Sequence, residues 1–126
     1  MRLNKLFLLG TLLLVLSISF VGCRKKADTI VKIYVKDSAN KAVNAATVTL
    51  TAVTSEAVIK PIDDSVYPLI TTTNSAGEAV FNLNEVYELG QAGVAVLDVN
   101  VSSGQGTGKG IIKVVEETTS EETVFI

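Results

Sequence analysis

The chain has 126 residues, with 11 basic and 13 acidic side chains and a formal net charge of −2. It contains no histidine and one cysteine, Cys23. The lack of histidine excludes Ser-His-Asp and Cys-His catalytic arrangements, so we expect no enzyme activity and no cofactor. A single cysteine excludes an intrachain disulfide. Beyond Lys26 the acidic residues predominate, which disfavours nucleic-acid binding because an acidic surface repels phosphate backbones.

The first 22 residues have the pattern of a signal peptide. Arg2 and Lys5 precede an uncharged, largely aliphatic run from Leu6 to Val21. A basic start followed by an apolar stretch is typical of export signals. The run is somewhat short for a membrane-spanning helix, which needs about 20 residues. We therefore predict that residues 1–22 are removed on export.

The stretch Phe20-Val21-Gly22-Cys23 resembles a lipobox, the cleavage and acylation motif of bacterial lipoproteins. The resemblance implies cleavage before Cys23 and lipid on its thiol, so that residues 23–28 form a lipidated tether on a membrane of the cell envelope. Arg24 stands where Asp often retains lipoproteins in the inner membrane, which favours the outer membrane and leaves the face open. A plain transmembrane anchor and an ordinary signal peptide with an unrelated cysteine remain as alternatives.

Residues 29–126 predict one all-β domain, because apolar residues recur at every second position in short segments rich in valine and threonine. Clusters of Asp, Asn, Ser and Gly separate these segments. Pro68 cannot donate to a ladder, so its strand should lie at an edge or begin late. A single helical turn is predicted within Glu85–Gln91. The predicted strands are Ile30–Lys36, Ala46–Ala52, Val66–Thr73, Ala79–Leu83, Val94–Val101, Ile111–Val115 and Thr123–Ile126. Seven strands at this spacing predict an antiparallel β-sandwich preceded by a signal peptide.

Two stretches resemble the signatures of carboxypeptidase-regulatory-like domains. In the first, residues 37–50, a strand leads into Asp37, a short turn, the pair Ala42-Val43 and another strand. In the second, residues 72–81, threonines precede an Asn-x-x-Gly turn and a strand that contains phenylalanine. Ala42 replaces the proline usual in the family. The resemblance implies a prealbumin-like or Ig-like sandwich that serves as an accessory or binding module, with no particular ligand.

Two irregular stretches invite a functional interpretation. Residues 104–110 are rich in glycine, but Ser103 and Gly110 stand where a phosphate-binding Walker loop needs Gly and Ser or Thr. We therefore predict a flexible hairpin loop there. The long segment from Thr54 to Pro68 is predicted to be a loop that either caps the open end of the sandwich or contributes to function.

Candidate modification and metal sites are few. We expect no metal site; the nearest approach to one is Asp98 with Asn100, which share a strand face and could supply oxygens to calcium. Solvated acidic surface is the alternative. Thr29, Ser38 and Ser65 each follow Asp and precede an apolar residue, which resembles the O-glycosylation motif of Bacteroidota. Ordinary turn chemistry explains the same pattern.

The sequence thus favours a non-enzymatic, lipid-anchored envelope protein that binds a protein or glycan partner. An alternative is a structural subunit of a surface assembly, joined to its neighbour by strand addition. This alternative is based on the apolar stretch Val124–Ile126, which could pair with a neighbour's sheet edge.

Overall fold

The computed structural model describes residues 22–23, 25–52, 68–85 and 94–126. Within these ranges the chain is all-β, as predicted, with seven strands and no helix. The strands are β1 Ile30–Lys36, β2 Thr47–Ala52, β3 Leu69–Thr72, β4 Glu78–Asn82, β5 Val94–Ser103, β6 Gly106–Val115 and β7 Thr119–Phe125. All of the predicted signal peptide except Gly22, nearly all of the 54–68 loop and most of the predicted helical turn lie outside the described residues.

The strands form two sheets, a three-stranded one in the order β4-β1-β7 and a four-stranded one in the order β3-β2-β5-β6. All pairs are antiparallel except β1 and β7, which are parallel with Ile30 opposite Thr119. The prediction of a fully antiparallel sandwich is therefore wrong for this pair. The chain crosses between the sheets after β6, so β7 enters at the end where β1 begins. There the amide of Ile30 donates to the carbonyl of Thr118 at 3.0 Å.

The two sheets enclose an apolar core between them. Alternate residues of the strands point inward, so the side chains of Ile33, Leu50 and Leu97 are fully or almost fully buried. Burying a side chain of this size stabilises a fold by about 1.5–3 kcal/mol. The core consists of Val31, Ile33, Val35, Val43, Ala46, Val48, Leu50, Ala79, Phe81, Leu83, Ala95, Leu97, Val99, Val101, Ile112, Val114 and Val124.

The sandwich has two ends, which the topology makes distinct. Residues 25–29 join the domain at one end, which we call the tether end. The odd-numbered strands begin at this end, and the even-numbered strands finish there. The opposite, distal end carries the β1–β2 and β3–β4 turns and the β5–β6 hairpin turn. β2 and β4 end, and β3 and β5 begin, at the tether end.

Several strand boundaries differ from the sequence prediction. As expected from Pro68, β3 begins late and lies at a sheet edge. The glycine-rich stretch is not a loop: only Gly104 and Gln105 form the turn, and β6 starts at Gly106 directly opposite Ser103. β7 starts at Thr119, four residues before the predicted position.

The alternate glycines of β6 allow the two sheets to approach closely at one edge. Gly106, Gly108 and Gly110 share the inward face with Ile112, and β7 lies over them. A Cβ atom at position 108 would collide with the carbonyl oxygen of Phe125, and one at position 110 would lie 3.1 Å from Cγ2 of Val124. The glycines therefore serve close packing rather than loop flexibility.

Candidate functional site

The outer face of the four-stranded sheet brings polar side chains together from three strands. Asn100 in β5 lies opposite Thr49 of β2 on one side and opposite Lys109 of β6 on the other. Asp98 lies in the next row of this face, between Thr51 and Ile111. Both Asp98 and Asn100 are half-buried, because neighbouring strands flank them on both sides.

A shallow groove runs across these rows. Among the described residues, Asp98, Asn100, Lys109 and Ile111 line a hollow of about 580 Å³. A smaller adjoining hollow of about 290 Å³ shares Asn100 and Lys109 and reaches Thr107. We call both together the β5–β6 groove. It offers one carboxylate, one ammonium, an amide and hydroxyls, a set suited to hydrogen bonding a polar ligand.

Toward the tether end, the same sheet face exposes apolar instead of polar side chains. Val94 pairs with Val115, and both side chains are about two-fifths exposed, at 40% and 39%. Ile111, further along β6, is 62% exposed. Lys113 lies between them on the outer face. We call Val94, Ile111, Lys113 and Val115 the tether-end patch, and it is the apolar counterpart of the polar groove.

The expectation of no metal site, with Asp98 and Asn100 as the nearest candidates, stays a prediction. The structure confirms that the two side chains share one face, and Lys109 lies in the same groove. Within residues 22–23, 25–52, 68–85 and 94–126, no group of three or more His, Cys, Asp or Glu side chains could hold a metal ion.

The tether is fixed to the domain by a network of polar contacts. Asn84 holds two successive residues: its Nδ2 donates to Oδ1 of Asp28 at 2.7 Å, and its Oδ1 accepts from the amide of Thr29 at 2.8 Å. Nearer the thiol, Nζ of Lys26 pairs with Oε1 of Glu116 at 2.8 Å. Cys23 itself is exposed with a free thiol. Only a few residues therefore separate the predicted lipid site from a fixed point on the domain.

No helix within the described residues is long and apolar enough to cross a bilayer.

The predicted glycosylation sites have different surroundings. Thr29 is fully buried, and its Oγ1 accepts a hydrogen bond from the amide of Glu117 at 2.9 Å. The folded domain has no room for a glycan on this hydroxyl, so a glycan on Thr29 is incompatible with this fold. Ser38 is exposed in the β1–β2 turn, where a glycan has space. Ser65 lies outside the described residues.

The outer face of the three-stranded sheet is occupied by its own polar contacts. The hydroxyl of Tyr34 donates to Oε1 of Glu121 at 3.3 Å, and Nζ of Lys32 lies 3.9 Å from Oε2 of Glu78. Partial burial raises the pKa of Tyr34, and the carboxylates of Glu121 and Glu78 raise it further. Tyr34 therefore stays neutral at physiological pH and acts as a hydrogen-bond donor.

The C-terminal stretch belongs to the domain's own fold. Val124 is part of the core, and Ile126 packs against it. The amide of Ile126 donates to the carbonyl of Lys36 at 2.9 Å, extending the β1–β7 pairing. Phe125 alone points outward, with 57% of its surface exposed.

Sequence reasoning found Asp98 and Asn100 but missed their partners. Thr49, Lys109 and Ile111 join them only through strand register, which depends on which strands become neighbours. Lys109, Ile111 and Lys113 alternate along β6, a pattern that indicates a strand face. The prediction of a loop before Ile111 leaves Lys109 out of this pattern.

No family model matches the chain, and no curated protein matches it significantly.

Proposed function

We propose that the protein is a non-enzymatic lipoprotein of the cell envelope, anchored by lipid on Cys23, whose domain binds a protein or glycan partner. The observation that carries the proposal is the β5–β6 groove, which gathers Asp98, Asn100 and Lys109 on an open sheet face. Side chains that combine a carboxylate, an amide and an ammonium suit the hydroxyl groups of a glycan or the polar groups of a peptide. Arg24 favours the outer membrane.

We further propose that the domain belongs with prealbumin-like sandwiches. Support comes from the two signature stretches, since each forms a tight turn between strands: one joins β1 to β2 and the other joins β3 to β4. The strand order disfavours the immunoglobulin alternative. Constant-type immunoglobulin domains place the first strand in one sheet with the second, fourth and fifth. Here β1 shares a sheet with β4 and β7.

A binding module is favoured over a strand-exchanged subunit by the position of β7. The strand-addition hypothesis needed an apolar stretch free to pair with a neighbour. Val124 instead lies in the core of its own domain, and β7 pairs along its length with β1.

Site-specific photo-crosslinking on intact cells tests the groove. Thr107 and Thr119 are both exposed threonines; the first lines the groove and the second lies on the other sheet. A photoreactive residue at position 107 should yield a discrete crosslinked product with a protein or glycan, and the same residue at position 119 should not. Equal products at both positions, or none at either, would refute binding through the groove.

A second experiment tests the anchor. Growth with labelled fatty acid should label the chain, and Cys23→Ser should abolish the label and release the protein from the membrane fraction. Ser38→Ala is a suitable control because it also changes an exposed side chain. Fatty-acid labelling of the Cys23→Ser chain would show that the anchor is wrong.

A further inference from the structure

The tether-end patch differs from the other apolar side chains that the surface exposes. Among the described residues, Ile70 is exposed on β3, while Val80 and Phe125 are exposed on β4 and β7, which β1 separates. Val94, Ile111 and Val115, in contrast, lie on the paired strands β5 and β6 and share one outer face. Exposed apolar side chains that cluster in this way mark interaction surfaces more often than isolated ones do.

The contacts of the tether place this patch next to the predicted lipid site. Lys26 pairs with Glu116, the residue that directly follows Val115. Two residues lie between Cys23 and Lys26, so their Cα atoms are at most about 11 Å apart when this stretch is fully extended. Asp28 and Thr29 are held by Asn84, so the domain has little freedom to move away from Cys23.

We propose that, once Cys23 is acylated, the tether-end patch lies against the surface of the bilayer. This proposal rests on the lipid anchor proposed above and adds the orientation of the domain. Apolar side chains that enter the headgroup region bury their surface there, while lysine ammonium groups contact anionic headgroups. Lys113 lies within the patch and Lys25 is exposed on the tether. The nearby negative charge of Glu116 is offset by its ion pair with Lys26.

The orientation explains the division of the sheet face into two halves. The apolar half faces lipid, and the polar β5–β6 groove begins where the patch ends, with Ile111 belonging to both. A partner that binds the groove therefore meets the domain close to the lipid headgroups. The opposite sheet, which carries Tyr34 and Phe125, faces away from the bilayer.

Quenching by spin-labelled lipid tests the orientation. The full lipidated chain carrying Ile111→Cys is labelled with a fluorophore and reconstituted into vesicles of phosphatidylethanolamine and phosphatidylglycerol that contain spin-labelled phospholipid. Phe125→Cys is the matched control, because the two side chains are similarly exposed, at 62% and 57%, on opposite sheets. Acylation blocks the thiol of Cys23, so only the introduced cysteine reacts.

We expect severalfold stronger quenching at position 111 than at position 125, and a second pair, Val115→Cys against Val80→Cys, should behave alike. Equal quenching within both pairs, in a chain that floats with the vesicles, overturns the orientation and leaves the anchor intact. Failure of the lipidated chain to float overturns both. If a second copy of the chain covers the patch, position 111 will become better shielded from aqueous iodide as the protein density on the vesicles increases. That result would also overturn the proposal.

Discussion

Two turns at the distal end have the same hydrogen bonds and different requirements for glycine. In residues 37–41, Oδ1 of Asp37 accepts from the amides of Ala39 and Lys41, both at 2.9 Å. In residues 74–78, Oδ1 of Asn74 accepts from the amides of Ala76 and Glu78, at 2.9 and 3.1 Å.

The fourth residue of each turn has a positive φ, 63° at Asn40 and 72° at Gly77. A Cβ atom at Gly77 would lie 2.7 Å from the carbonyl oxygen of Val35 and 3.0 Å from Cβ of Ala42. The turn geometry alone is therefore met by asparagine, and the neighbouring β1 strand makes glycine necessary in the second turn. A left-handed residue in a turn need not be glycine unless another segment packs against it.

The largest effect on stability should come from placing asparagine, the left-handed residue of the first turn, at the same position of the second turn. We expect Gly77→Asn to lower the free energy of unfolding by about 2–4 kcal/mol, because the new side chain forces the backbone away from Val35. Equilibrium urea unfolding measures the loss. A loss below about 1 kcal/mol would break the comparison, since it would mean that the two turns tolerate the same residues.

An intermediate effect should follow from removing the shared acceptor. Asp37→Ala and Asn74→Ala each leave two turn amides without their side-chain partner, and water replaces it because the turns are exposed. We expect each change to cost about 1–2 kcal/mol. The same unfolding measurement applies, and Asp37→Ala should cost the more of the two because its lost acceptor is charged. A larger loss for Asn74→Ala would show that the turns are not equivalent in their hydrogen bonding.

The smallest effect should come from the reverse exchange. Asn40→Gly removes a side chain from a left-handed position and increases the freedom of the unfolded chain, two effects that oppose each other. We expect a change within about 0.5 kcal/mol. Ala45→Gly is a useful companion, since Ala45 is exposed and has a φ of 57°, and alanine tolerates that conformation less well than asparagine. Ala45→Gly should therefore stabilise the domain more than Asn40→Gly.

The two turns also show which features of the fold the sequence can predict. Asx-Ser-Ala-x patterns predict tight turns because the side chain of Asp or Asn bonds the backbone two residues on. The close approach of Val35 to Gly77 joins segments distant in the chain, and no local pattern reveals it. The glycines of β6 were misinterpreted for the same reason: their role is defined by β7, which packs on them from the other sheet.

The candidate site divides in a similar way. Alternation along β5 placed Asp98 and Asn100 on one face, and the structure agrees. Lys109 could not be assigned to the site until the register of β5 with β6 was known. The burial of Thr29 was equally hidden, because a threonine that precedes a strand gives no local sign that Glu117 will donate to its hydroxyl.

The parallel pairing of β1 with β7 has a consequence for how the domain forms. Ile30 pairs with Thr119, so the first strand acquires its second neighbour only when the last strand is in place. Contacts of such long sequence separation raise contact order and slow folding, because a large loop must close before they form. The four-stranded sheet has no such requirement, since β2, β3, β5 and β6 pair without β7. The three-stranded sheet should therefore be completed late, and premature loss of the final strand would leave β1 with an unpaired edge available to other chains.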